Sequence, residues 1–262
     1  MYFTKKDIVL KLRKSGIKKG DIVFFNTSLG TVGIPKKIKQ SKKDLCELFF
    51  DAFKEVVGEK GTILIPSYSY TFKSNSLKIF DPKKTKPKIG MFPDFFFKQK
   101  NVIRSLDPIV SISGYGPKAK ELLLYDYRSS YGKKSVFERL KDFKNVKCCT
   151  IGLDLSWIPF IHHLDYLSKA PFRKKKIFKG YIIKYKKKKL CNWEYHVRDL
   201  RNETYVNGIK MGKMALKKKI ICKIKIGYSY IYTSNYNKYF NYLLKVLKKD
   251  PWISIIGPKY KI

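Results

Sequence analysis

His162 and Asp165, in the segment Phe160-Ile161-His162-His163-Leu164-Asp165, have the types and spacing of an acid–base pair, and the segment holds two of the chain's three histidines. Read as a helix, it places the imidazole and the carboxylate one turn apart on the same face. A carboxylate beside an imidazole fixes the ring tautomer and stabilises the protonated form, which suits a general base. A structural reading stands beside this one, because such a pair also occurs as a simple surface hydrogen bond. His163 points elsewhere, its side chain diverging from that of His162 by about 100°.

A chain of 262 residues is long enough for a substantial core, and a 44% share of hydrophobic residues marks it as globular. The five cysteines contain no C-x-x-C pair. Cys148 and Cys149 alternate across a strand and so face opposite sides, which disfavours joint metal binding. Free buried thiols in a reducing compartment are expected. No apolar run approaches a membrane span and Met1–Asp7 lacks an apolar signal region, so a cytoplasmic protein without membrane insertion is expected.

The formal net charge is +38, from 58 Lys and Arg against 20 Asp and Glu. Lysine is spread over nearly every segment, as a solvated face would be. The densest run, Arg173 to Lys189, lacks acids and reads as a β-hairpin with a Lys-rich turn. Such a field favours an anionic ligand. A nucleic-acid-binding reading draws on basic residues interleaved with aromatics, but no recognition motif accompanies them and the aromatics sit in apolar runs. A metal-hydrolase reading would need His162, His163, Asp165 and His196 as ligands, and adjacent histidines on a helix cannot readily share one ion. No metal is expected.

The elements that must position the pair are legible in part. Helices are expected over Thr4–Ser15, from the Ser41 cap to Gly58, over Pro117–Asp126 and over Tyr236–Lys248; strands over Ile22–Phe25, Gly61–Pro66, Ile109–Ser113 and Val146–Leu153. Pro82, Pro87, Gly90 and Pro93 make 71–100 a folded loop region of the kind that lines sites. From about residue 177 the pattern turns strand-rich (177–186, 191–198, 220–233). These alternations predict one continuous α/β domain over 1–262, a sheet covered by helices with extra strands in the C-terminal third.

Five segments in order across residues 20–173 resemble the aminoglycoside 3-N-acetyltransferase family. They are Gly20–Gly30; Gly61–Ser69; Phe80–Thr85 running to Gly90-Met91-Phe92-Pro93; Arg104–Ser111 with Gly114 and Gly116–Ala119; and Ile151-Gly152-Leu153 with Phe160–Asp165 and Pro171-Phe172-Arg173. The resemblance implies a three-layer α/β fold with a central mixed β-sheet. It also implies transfer of acetyl from acetyl-coenzyme A to an amine of an aminoglycoside or a nucleotide-linked amino sugar. His162 matches the family's catalytic histidine, and Asp165 stands where the family usually carries Glu. Thr27 and Ser28 match positions near coenzyme A, and Arg104, Ser105 and Ser111 fall in the cofactor-side motif. Asp107 replaces a family His and, on the acceptor side, would hold the acceptor's ammonium group. As an Asp before a proline, it would equally cap a turn. Asn26 and Pro159 are further departures, standing where the family often has His and Thr.

Overall fold

The computed structural model describes residues 2–36, 41–75, 77–184, 186–199, 205–257 and 259. Its centre is a seven-stranded mixed sheet. The strands are β2 (Ile22–Thr27), β4 (Thr62–Pro66), β6 (Ile103–Arg104), β7 (Ile112–Tyr115), β8 (Val146–Ile151), β12 (Cys222–Ile226) and β13 (Ser229–Asn235), in the order β12-β13-β8-β2-β4-β7-β6. The middle three, β8, β2 and β4, run parallel; the outer strands are antiparallel to their neighbours. Smaller pairings complete the strands. β1 (Tyr2–Phe3) lies beside β3 (Ile34–Pro35), and β11 (Tyr205–Val206) beside β14 (Ile255–Ile256). A three-stranded sheet joins β5 (Ile79–Phe80) to the hairpin of β9 (Arg173–Lys184) and β10 (Lys187–Arg198).

Near-continuous apolar strands are the mark of a sheet buried on both faces. Alternation along β2 and β8 separates two cores. Ile22, Phe24, Val146 and Cys148 face one, and Val23, Phe25, Cys149 and Ile151 face the other. The second core is closed by α1 (Lys5–Lys14), α2 (Lys42–Val57) and α3 (Met91–Phe96). The first is closed by α4 (Ala119–Leu123), α5 (Val136–Arg139), α6 (Ile161–Leu167), α7 (Ile209–Lys217) and α8 (Tyr236–Lys249). The result is the expected three-layer build, and the two neighbouring cysteines do point to opposite faces. α1 starts at a capping box, Asp7 N donating to Thr4 Oγ1 (3.2 Å) and Thr4 N to Asp7 Oδ2 (2.8 Å). Ser41 and Asn235 cap α2 and α8 in the same way from one side.

The structure departs from the sequence reading at several points. The strand expected over Ile109–Ser113 begins at Ile112 and runs to Tyr115, because the Asp107 carboxylate draws Ile109 and Val110 into a turn. The helix after Pro117 is only five residues long. α7 was not foreseen at all. The Lys-rich hairpin is present and longer than expected, with Arg173 paired to Arg198 and Lys184 to Lys187; Tyr185, read as part of it, lies outside the described residues.

Candidate active site

The carboxyl ends of the parallel strands, where open α/β sheets bind ligands, border a cavity of about 1450 Å³. Its floor comes from the end of β2 (Phe25, Asn26, Thr27) and the turn Ser28–Gly30, with Ile65 and Pro66 from β4. The segment after β8 brings Ser156–Pro159 and then His162 on the first turn of α6. The breaker-rich region contributes Lys73 and Ile89–Pro93, as a site-lining loop should. The hairpin and the β10 side close it with Arg173, Lys174, Lys176, Phe178, Tyr195 and Arg198.

The floor is held by a tight approach at Gly152, where the chain leaves β8. Gly152 has φ +75°, and a Cβ there would lie 2.1 Å from the Ser28 carbonyl oxygen, so glycine alone fits. Thr31 Oγ1 joins the two segments through the Gly152 carbonyl (2.7 Å) and the Ser28 carbonyl (2.9 Å). On the floor, Asn26 Nδ2 and Thr27 Oγ1 are buried and have no hydrogen-bond partner among the described residues. Buried polar atoms are rarely left unpaired without a reason. Two of them on a cavity wall fit a ligand that brings amide or carbonyl groups, as the pantetheine arm of coenzyme A does.

His162 and Asp165 meet as the helical spacing requires. Nδ1 lies 3.2 Å from Asp165 Oδ2. Asp165 is fully buried, and its charge is met by Arg173, whose Nε donates to Oδ2 at 3.0 Å with Nη2 also 3.0 Å from that oxygen. The same Nη2 reaches His162 Nδ1. Asp165 Oδ1 has no partner among the described residues. Burial and the adjacent Arg173 guanidinium outweigh the Asp165 carboxylate and push His162 down to about 4, so the ring is neutral near pH 7. Two tautomers compete. With the proton on Nδ1, the ring donates to Asp165 and leaves an Nε2 lone pair for a substrate. With Arg173 donating to Nδ1, the proton sits on Nε2, which becomes a donor.

The other two histidines stay away from the cavity. His163 is buried with Nδ1 2.6 Å from the Tyr131 carbonyl oxygen. His196 packs on the Tyr166 ring with its Nδ1 4.0 Å from Glu194 Oε1. Among the described residues, no group of three or more His, Cys, Asp or Glu could hold a metal ion. No helix of the described residues is long and apolar enough to cross a membrane.

Thr27 and Ser28 line the cavity, whereas Arg104, Ser105, Ser111 and Asp107 do not. Arg104 is buried behind the wall, donating to Ser111 Oγ (2.9 Å) and to the carbonyls of Thr85 and Ser67. Ser105 Oγ accepts from Ile112 N at 3.0 Å. Asp107 is 2% exposed, and its Oδ1 accepts from Ile109 N (2.8 Å) and Val110 N (2.9 Å). The turn-capping alternative describes this placement: a carboxylate spent on two backbone N–H groups and sealed from the cavity has no path to an acceptor ammonium. Arg104 and Ser111 tie this loop to Ser67 in the segment following β4, while Ser105 and Asp107 hold the loop's own turn. What sequence reasoning missed is the tyrosine wall. Tyr131 packs edge-on against the His162 ring at 5.1 Å and lies 5.3 Å from Tyr195, with Tyr68 and Tyr70 alongside.

Residues 29–248 match the sequence profile of the family described as aminoglycoside 3-N-acetyltransferase. A curated relative, aminoglycoside N(3)-acetyltransferase IX of Micromonospora chalcea, is 24% identical over 183 residues, covering 63% of this chain and 62% of that protein's length. Among solved structures, AAC-IIIb in binary complex with CoASH superimposes with a TM-score of 0.79 at 16% identity over 100% of both chains. AAC-VIa bound to sisomicin gives 0.79 at 18% identity over 95% of this chain and 99% of that one. At these identities the structural likeness establishes a shared fold.

Proposed function

The chain belongs to the aminoglycoside 3-N-acetyltransferase family, and from that premise we propose that it transfers acetyl from acetyl-coenzyme A to the amine of an amino sugar. The observation that carries this reading is a neutral His162 on the wall of a cavity large enough for two substrates, in the tautomer whose Nδ1–H donates to Asp165 and whose Nε2 lone pair is left to meet the acceptor. The amine nitrogen attacks the thioester carbonyl. As the C–N bond forms, the nitrogen's proton passes to Nε2; the C–S bond breaks, and the departing thiolate of coenzyme A takes that proton from Nε2 and leaves as the thiol. Asp165 offsets the imidazolium charge as it develops, and Arg173, bonded to the same carboxylate, holds it in place.

Thr27 and Ser28, with the unpaired Asn26 amide, take the acyl and pantetheine end of the donor. Arg104, Ser105, Ser111 and Asp107 act on that end only through the loops they brace. The family name of the relatives and the CoASH complex of AAC-IIIb support the donor; the sisomicin complex of AAC-VIa supports an amino-sugar acceptor. The test is thiol release from acetyl-coenzyme A in the presence of amino sugars. Acceptor-dependent release that falls by about 10²–10⁴-fold in His162→Ala is expected. A His162→Ala variant with wild-type turnover would remove His162 from the mechanism.

A further inference from the structure

The charge around the cavity is one-sided. Among its described lining residues, Lys73, Arg173, Lys174, Lys176 and Arg198 are cationic, and Asp199 is the one carboxylate. Two of these cations have acidic partners, since Lys174 Nζ lies 3.0 Å from Asp199 Oδ2 and Arg173 is tied to the buried Asp165. Coenzyme A has phosphates of its own that the basic residues of β9 and β10 can take. Lys73 is placed differently. Its Nζ stands 4.7 Å from the Tyr195 ring centroid and 5.6 Å from that of Tyr70. Tyr195 leads through Tyr131 to His162 in successive ring contacts. No carboxylate lies within ion-pairing distance of Lys73 among the described residues. Lys73 is exposed on the cavity wall, open to an incoming anion, and partial desolvation together with the nearby Arg173 charge pulls its pKa down.

A polycationic aminoglycoside entering here would bring several ammonium groups against like charge, with one already paired carboxylate to receive them. Like-charge juxtaposition selects against a partner as strongly as opposite charge selects for one. We propose that the acceptor is an anionic amino sugar, its ring against the tyrosine wall, its amine at His162 and its phosphate held by Lys73. This assignment rests on the acetyl transfer proposed above. The phosphate can belong to a sugar monophosphate or to a nucleoside diphosphate linked to the sugar.

The test compares glucosamine, glucosamine 6-phosphate, a uridine-diphosphate-linked sugar bearing a free amine, and sisomicin as acceptors, by thiol release at low and near-physiological salt. At least one phosphorylated acceptor is expected to show a kcat/KM about tenfold or more above that of glucosamine, in a margin that narrows with salt. Which phosphorylated acceptor leads identifies the source of the phosphate. Lys73→Gln should collapse the preference through acceptor KM and leave the KM for acetyl-coenzyme A within about twofold, while Lys73→Arg retains the preference. Sisomicin as the best acceptor, equal use of charged and neutral sugars, or no turnover of any of the four would overturn the anionic acceptor. A protein whose melting temperature is unmoved by acetyl-coenzyme A would overturn the transfer reading as well, so the two failures are distinguishable.

Discussion

Replacing Arg173 by methionine tests what keeps His162 neutral. In the wild type, burial and the Arg173 charge together hold the imidazole at about 4. At pH 5 about nine-tenths of it is therefore free base, and the acid limb of kcat/KM lies below the usual assay range. Methionine preserves most of the bulk and removes the charge. Burial remains, but the upward pull of Asp165, 3.2 Å from Nδ1, is then unopposed. A neighbouring charge at this range moves a pKa by about 1–3 units, so a value near 6 is expected for the variant. The free-base fraction at pH 5 then falls to about one-tenth, and kcat/KM between pH 8 and pH 5 drops about tenfold more than in the wild type. Arg173→Lys keeps the charge and should keep the low limb. Arg173→Met also removes one partner of a buried ion pair with Asp165, a loss of about 3–5 kcal/mol. The double variant Arg173→Met/Asp165→Asn removes the Asp165 charge as well and should return the limb to low pH on burial alone. The assay is thiol release at saturating acetyl-coenzyme A across the pH range. A wild-type limb near 6.5, or an Arg173→Met profile that overlays the wild type, would refute the reasoning.

Asp165→Asn should lower turnover with little change in acetyl-coenzyme A affinity, whereas Asp165→Glu, which supplies the longer acid, should retain activity; a dead Asp165→Glu beside an active Asp165→Asn would assign Asp165 another role. Acetyl-coenzyme A should raise the melting temperature in proportion to the logarithm of its concentration, and Thr27→Ala or Ser28→Ala should reduce that shift; unchanged shifts in both variants would move the donor elsewhere. Arg104→Met should instead cost melting temperature directly, since it removes three hydrogen bonds, two of them buried. Burial pushes Asp107 up to about 6. The native state therefore binds its proton more readily than the unfolded chain, a contribution to stability present below about pH 4 and lost as pH rises through about 6. Asp107→Asn should flatten that part of the stability profile and leave acceptor KM unchanged; a raised acceptor KM at unchanged stability would put Asp107 back on the acceptor side.

The His162–Asp165 pair was legible because a helix turns local spacing into contact. Buried strands and capped helices were legible for the same reason: Ser41, Gly58 and the apolar faces between them are local signals. Burial of polar residues is not local. Arg104, Ser105, Asp107 and Ser111 sit in a motif-rich loop, and nothing in their spacing says that they point into the wall instead of the cavity. Arg173 was visible only as part of a Pro-Phe-Arg motif, since its contact with Asp165 depends on how β9 leaves α6. The tyrosine wall draws on residues 68, 70, 131 and 195, which only the tertiary fold brings together. α7 escaped because Gly212 and the lysines of Ile209–Lys217 mask its apolar stripe. Gly212 is there for packing, as a Cβ would lie 2.3 Å from the Leu155 carbonyl oxygen.

In the proposed transfer, the crowding of cations beside His162 also acts on the acceptor nitrogen. An amino sugar is mostly ammonium in neutral water, and like charges around it favour its unprotonated form, as Arg173 favours the neutral imidazole. The acceptor therefore yields a proton to solvent on entering, before the thioester is attacked. A histidine near pKa 4 is too weak to strip a resting ammonium, but that is no longer its task. It receives a proton only once the new C–N bond has made the nitrogen acidic, the point at which a weak base suffices. Affinity for the acceptor should then climb with pH as the free amine becomes abundant, and each acetyl group delivered should release one proton to the medium.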